Sequence, residues 1–222
     1  MEKSKLEELW KSYDKKLEKN LVLNQKNARA ITTLKIQSLL TSMIPVKLFA
    51  LIAGLLWVGI GYLIVIPIFL HGFESANKFF LFSATIQLTL TAAAIWVYLY
   101  QLILIHQTDI SEPVLKTQKK LAKLKSSTLW VPRILFLQLP VWTTFWWNET
   151  MLTEWNVFQW LITLTITLFS VYAAVWLFIN INEENSGKKW FELIFGGDKE
   201  WSPLVHSIEM MKQIREYNDE NQ

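Results

Sequence analysis

The chain has 222 residues, 52% of them hydrophobic and only 18% charged, below the roughly 25% usual for soluble globular chains. It has no cysteine, which excludes disulfides, thiolate nucleophiles and thiolate metal sites, and a net charge of only +3. Acidic residues dilute the lysines in both terminal segments, so no nucleic-acid partner is expected.

In chain order, residues 1–43 read as one amphipathic helix. Leu6, Trp10, Tyr13, Leu17, Leu21, Ala28 and Ile31 keep to one stripe, with lysines and glutamates opposite. The opening "MEKSKLEELWKSYDKKLEKN" lacks the apolar run of a signal peptide. Four apolar blocks follow, at 44–70, 79–105, 131–147 and 155–181, near the about 20 helical residues that cross a hydrocarbon core about 30 Å thick. The expectation is an all-α polytopic membrane protein, with a four-transmembrane-helix bundle in 44–181 and amphipathic cytoplasmic helices around it. Pro67 and Pro140 are expected to bend the first and third spans, and the third is the shortest.

The loop at 107–130 carries "DISEPVLKTQKKLAKLK", in which Asp109 or Ser111 can cap a helix with Pro113 in its first turn. The tail, 182–222, is broken by Gly187 and the Gly196-Gly197 pair. It then starts a last helix at Ser202-Pro203, with Leu204, Ile208 and Met211 as its stripe. The cations follow this division. Ten of the 22 Lys and Arg lie up to Lys47, six between the second and third spans, five in the tail, Lys78 alone in the first hairpin and none in the second. The positive-inside rule therefore predicts both termini and the middle loop in the cytoplasm.

Within the spans, Lys47 and Arg133 fall about one turn inside the cytoplasmic boundary, where long side chains can snorkel. Gln87, Thr91, Tyr98 and Gln101 of the second span, and Thr163, Thr167 and Ser170 of the fourth, recur at helical spacing, and Ala50, Gly54 and Gly61 share a face of the first. Such stripes suit a helix seam; a hydrated path or a contact with a second protomer would use the same residues. Trp142, Trp146, Trp147 and Trp155 flank the outer hairpin, with Trp130 and Trp190 at the opposite level. Tryptophans at both interfaces fit an aromatic belt among lipid headgroups better than a cage for a cationic ligand beside Glu149 and Glu154.

Two segments carry a family likeness. "LEELWKSYDKKLEKNLVLN" and "LIHQTDISEPVLKTQKKLAKLK" resemble an uncharacterised group of four-span inner-membrane proteins of Bacteroidetes-type bacteria. That resemblance implies the bacterial inner membrane as location. It further implies a sigma factor as partner, since such proteins are often encoded near extracytoplasmic-function sigma factors. It brings no catalytic or ligand residue.

The residues themselves leave two main functions open. A non-enzymatic membrane protein could hold a cytoplasmic partner on its amphipathic helices, the candidate contacts being Leu6, Trp10, Tyr13, Leu17, Leu204, Ile208 and Met211. Alternatively, a homo-oligomeric channel or transporter subunit could be lined by the Gln, Thr and Tyr stripe. A lipid-modifying enzyme would need clustered His, Asp, Glu or Ser at one interface. Only Glu149 with Glu154, or His106 with Asp109, come near that, so neither catalysis nor a cofactor or metal is expected.

Overall fold

The computed structural model describes residues 2–108, 114–195 and 199–219, with side chains for all of these but 2–9, 25, 29, 114, 115, 152 and 214–219. Every element among them is helical: α1 (Glu2–His71), α2 (Lys78–His106), α3 (Val114–Phe136), α4 (Leu139–Thr144), α5 (Thr150–Glu154), α6 (Val157–Asn180), a 3-10 turn (Glu183–Asn185), α7 (Lys189–Phe195) and α8 (Trp201–Asp219). Of these, α1, α2 and α6 are long and apolar enough to cross a membrane.

The first of them is longer than the pattern suggests. The amphipathic segment and the first apolar block form one uninterrupted helix of 70 residues, with Pro45 and Pro67 inside it. At about 1.5 Å per residue it is about 105 Å long, more than three times a hydrocarbon core. Roughly a third can lie in lipid. Side chains from Trp10 to Ile31, where described, are exposed all round, and the first buried residue is Ile36. The early part of α1 therefore stands away from the body as a free arm.

α2 returns along α1 through a short hairpin. Asn77 caps α2, its Oδ1 accepting from the Phe80 N–H at 3.2 Å, while its Nδ2 donates to the Trp147 carbonyl at 2.6 Å. The two helices approach through glycine. A Cβ on Gly61 would lie 2.3 Å from Leu88 Cδ2, and one on Gly54 would lie 2.9 Å from Ile95 Cγ1, so the small face of α1 is filled by α2. The Tyr62 and Thr89 hydroxyls bond across the same contact at 3.1 Å.

The third apolar block does not form one helix. It is divided between the end of α3 and α4, with a break at Leu137–Gln138. Pro140 has no N–H to give the Phe136 carbonyl and its ring crowds that group. The chain tightens instead, with Leu137 N–H to Ile134 O at 3.2 Å and Gln138 N–H to Leu135 O at 3.1 Å. The expected bend is thus a break. The outer hairpin likewise holds a short helix, α5, before Asn156 and Gln159 form a capping box that starts α6. Asp109, Ser111, Pro113 and the Gly196-Gly197 pair lie outside the described residues.

Three apolar clusters organise the packing. Val65, Leu81, Ala84 and Leu88 pack at the hairpin end of α1 and α2, with Phe80 and Phe145 against them. At the other end, Ile36, Leu40 and Met43 of α1 meet Leu104 and Ile105 of α2, Leu121 and Leu124 of α3, and Leu204 and Met211 of α8. Beside that cap, Leu129, Ile181, Phe191, Phe195 and Trp201 join α3, the end of α6, α7 and α8. α6 leans on α3 and α4, and Phe158, Leu161, Leu168, Phe169 and Tyr172 on it stay exposed. An all-round apolar helix left uncovered in this way is suited to a lipid solvent.

The α1–α2 contact yields a controlled test. Gly61→Val forces Leu88 from its place and should destabilise the protein by about 1–3 kcal/mol. Gly59→Val enters open space, with nothing within 4 Å, and should be close to neutral. Thermal unfolding of both variants in detergent measures the difference.

Candidate functional site

The most unusual chemistry of the molecule lies where α1, α2, α3 and the start of α8 converge. Lys47, three residues into the first apolar block, is 0% exposed. Its Nζ donates to Glu200 Oε2 at 2.6 Å and to Gln101 Oε1 at 2.5 Å, and lies 5.2 Å from the centroid of the Tyr98 ring. Gln101, fully buried as well, passes the network on by donating from Nε2 to the Ser127 carbonyl at 2.8 Å. One ammonium on α1 thereby touches α2 and the residue before α8, and through Gln101 is linked to α3.

Local sequence explains each position. Tyr98 and Gln101 are three apart on α2 and so share a face. Lys47 is four residues beyond the buried Met43 of α1, on the stripe that α8 covers. Glu200 immediately precedes Trp201, whose ring is buried among Phe191 and Phe195 and draws the carboxylate inward. Beside the ion pair is a cavity of about 180 Å³, lined in part by Tyr98, Thr128, Pro132, Phe195, Glu200 and Trp201. The site holds a neutralised charge pair in an aromatic surround and can act as a clamp between the tail and the first long helix.

The seam residues on α2 meet partners. Thr91 Oγ1 accepts from Gln138 Nε2 at 3.0 Å and donates to the Gln87 carbonyl at 2.9 Å, joining α2 to the start of α4. Gln87 is buried and lines an otherwise apolar cavity between α1 and α2 with Trp57, Gly61 and Phe145. Thr163, Thr167 and Ser170 lie on the half-buried stripe of α6 that ends at the buried Ala174. Ser170 Oγ donates to the Ile166 carbonyl at 2.9 Å, and Thr167 Oγ1 is buried with no hydrogen-bond partner.

The tryptophans divide. Trp142 and Trp146 are exposed, whereas Trp147 and Trp155 interlock edge-on with Trp160 at 6.0 and 5.9 Å. The carboxylate of Glu149 pairs with Lys78 at 3.0 Å in an exposed position.

The amphipathic stripes divide as well. Trp10, Tyr13 and Leu17 are 67%, 62% and 58% exposed, and the Leu6 side chain lies outside those described. Leu204 and Met211 are buried in the cap and Ile208 packs against it, so α8 spends its apolar face inside the chain. Lys47 likewise does not snorkel as expected; it is enclosed by protein. Its partner stands 153 positions away, and no local pattern links them. The available signal was a lysine inside an apolar block, with a Tyr and a Gln three apart in the next apolar block.

Removing one partner of a buried pair strands the other, at a cost of about 3–5 kcal/mol. Lys47→Met should therefore destabilise strongly, and Lys47→Met with Glu200→Leu should recover much of the loss. Denaturant unfolding of the two single variants and the double variant gives the coupling.

Comparison with protein-family profiles, with curated protein sequences and with solved structures gives no match to this chain.

Proposed function

We propose that the chain is a non-enzymatic, multi-pass protein of a bacterial inner membrane, with both termini cytoplasmic, that holds a cytoplasmic protein on the arm of α1. The observation that carries this reading is the exposed row of Trp10, Tyr13 and Leu17 on the early part of α1, where every described side chain from Trp10 to Ile31 is exposed. Large aromatic and leucine side chains on one face of a helix are the anchors by which helices enter protein grooves. The arm and the first apolar block form one uninterrupted helix; an arm that leaves the bilayer in this way favours a protein over a lipid surface as its occupant.

The distribution of lysine and arginine supports the orientation, and the broken third block, α3 into α4, supplies the remaining crossing, third in chain order, in this reading. The family likeness adds a sigma factor as the candidate partner, which would make the protein an anchoring regulator of anti-sigma type. The channel reading draws less support. Thr91 and Gln101 are bonded to Gln138 and to Lys47 and Ser127, and so are committed to helix contacts.

Two measurements test the proposal. Affinity purification of the tagged protein from native membranes, with mass spectrometry, should recover a stoichiometric cytoplasmic partner. Trp10→Asp with Leu17→Asp should release that partner without reducing membrane insertion; retention by the double variant removes the arm from the interaction. A pure homo-oligomer would favour the channel reading. The absence of native cysteine makes topology simple to read. Thr150→Cys should react with an impermeant maleimide in intact spheroplasts, and Ser186→Cys only after permeabilisation.

A further inference from the structure

Arg133 differs from the other cations that the fold encloses. Lys47 has Glu200, and Lys125 has Glu183 at 3.6 Å. Among the described residues, Arg133, in the last turn of α3, meets two aromatic rings and no carboxylate. Its guanidinium carbon lies 5.0 Å from the Trp130 ring centroid and 5.5 Å from that of Phe178 on α6. Trp130 and Phe178 themselves meet edge-on at 6.1 Å. The Nε is buried without a hydrogen-bond partner, and among the described residues no carboxylate or carbonyl accepts from this side chain.

The rings attract the positive charge through their faces. They offer no acceptor in the guanidinium plane, where all five N–H groups point. A charged donor left unsatisfied in this way is costly, and the side chain as a whole is only half-buried. A guanidinium that rests against two rings set at 74° to each other and is still partly exposed keeps N–H groups for a phosphate, which takes two parallel N–H bonds from such a fork.

The position of the fork indicates where that phosphate comes from. Phe178 lies in the last turn of the apolar α6. At the same end, Trp130 is 42% exposed, and Leu135 and Ile179, two positions from Arg133 and one from Phe178 in the chain, are exposed as well. A polar edge bordered by outward apolar side chains, at the level of an aromatic belt, has the arrangement of a headgroup above its acyl chains. We propose that Arg133, resting against Trp130 and Phe178, binds the phosphate of an anionic phospholipid at the end of α6.

The assignment rests on α6 crossing the bilayer, which carbonate washing of membranes tests separately. Native mass spectrometry of the full chain in mild detergent, titrated with phosphatidylglycerol, tests the site itself. The wild type should hold one lipid at least about tenfold more tightly than Arg133→Gln, the loss of a charge-assisted pair of bonds. Arg133→Lys, which keeps the charge but loses the fork, should lie between them. Circular dichroism confirms that each variant is folded, and the Lys variant decides the matter if the Gln variant is not. Equal lipid affinity in the wild type and the folded variants overturns the proposal. Displacement of the lipid by inorganic phosphate at comparable concentration overturns the lipid source in favour of a free-phosphate site. A chain washed out of membranes overturns the span reading and this one together.

Discussion

A lysine shut away from solvent can keep its charge only where the protein supplies what water would have supplied, and the geometry of this fold follows from meeting that demand at Lys47. Its ammonium needs a carboxylate, a further acceptor and a polarisable surround. Glu200, Gln101 and Tyr98 provide them from two other helical segments. The tail must fold back for the carboxylate to arrive. Once it does, Leu204 and Met211 are placed over Ile36, Leu40 and Met43, and the apolar cap closes. Ionic and apolar contacts thus specify the same docking of α8, each fixing the register of the other.

The two ends of the molecule rely on different forces. At the hairpin end, the glycines of α1 let α2 come close, and aromatic rings fill what remains: Phe80 meets Phe145 at 4.6 Å and Phe79 meets Trp147 at 5.8 Å. At the cap end, longer polar side chains bridge helices through defined bonds. Between the ends, the helices present apolar flanks that the chain leaves open, and the few hydroxyls there mostly satisfy themselves on the preceding turn, as Thr85, Thr89 and Thr165 do.

Much of this was legible from residue order, and what was hidden has identifiable causes. The helical class, the close face of Gly54 and Gly61, and the shared face of Gln87, Thr91, Tyr98 and Gln101 all follow from local periodicity, which sequence displays directly. The continuity of α1 was not legible, because a change from amphipathic to apolar pattern looks like a boundary even where no residue ends the helix. Pro140 advertised a disturbance but not whether the helix would bend or stop. The fate of the two exposed stripes was hidden most deeply. Trp10–Tyr13–Leu17 and Leu204–Ile208–Met211 look alike in sequence; only the fold shows that the second is covered by its own chain. The ion pair was hidden for the same reason, since Lys47 and Glu200 belong to segments with no local relation.

Pro45 acquires a different meaning in this setting. A proline inside a helix removes a backbone bond and ordinarily makes a joint. Here it sits between Met43 and Lys47, both buried, so the joint is splinted on either side. Stiffened there, α1 behaves as a lever whose fulcrum is the cap. The free arm is about 45 Å long, and a tilt of about 5° at the fulcrum displaces its tip by about 4 Å. Small changes in how α1 is seated in the cap are therefore magnified at the far end of the arm.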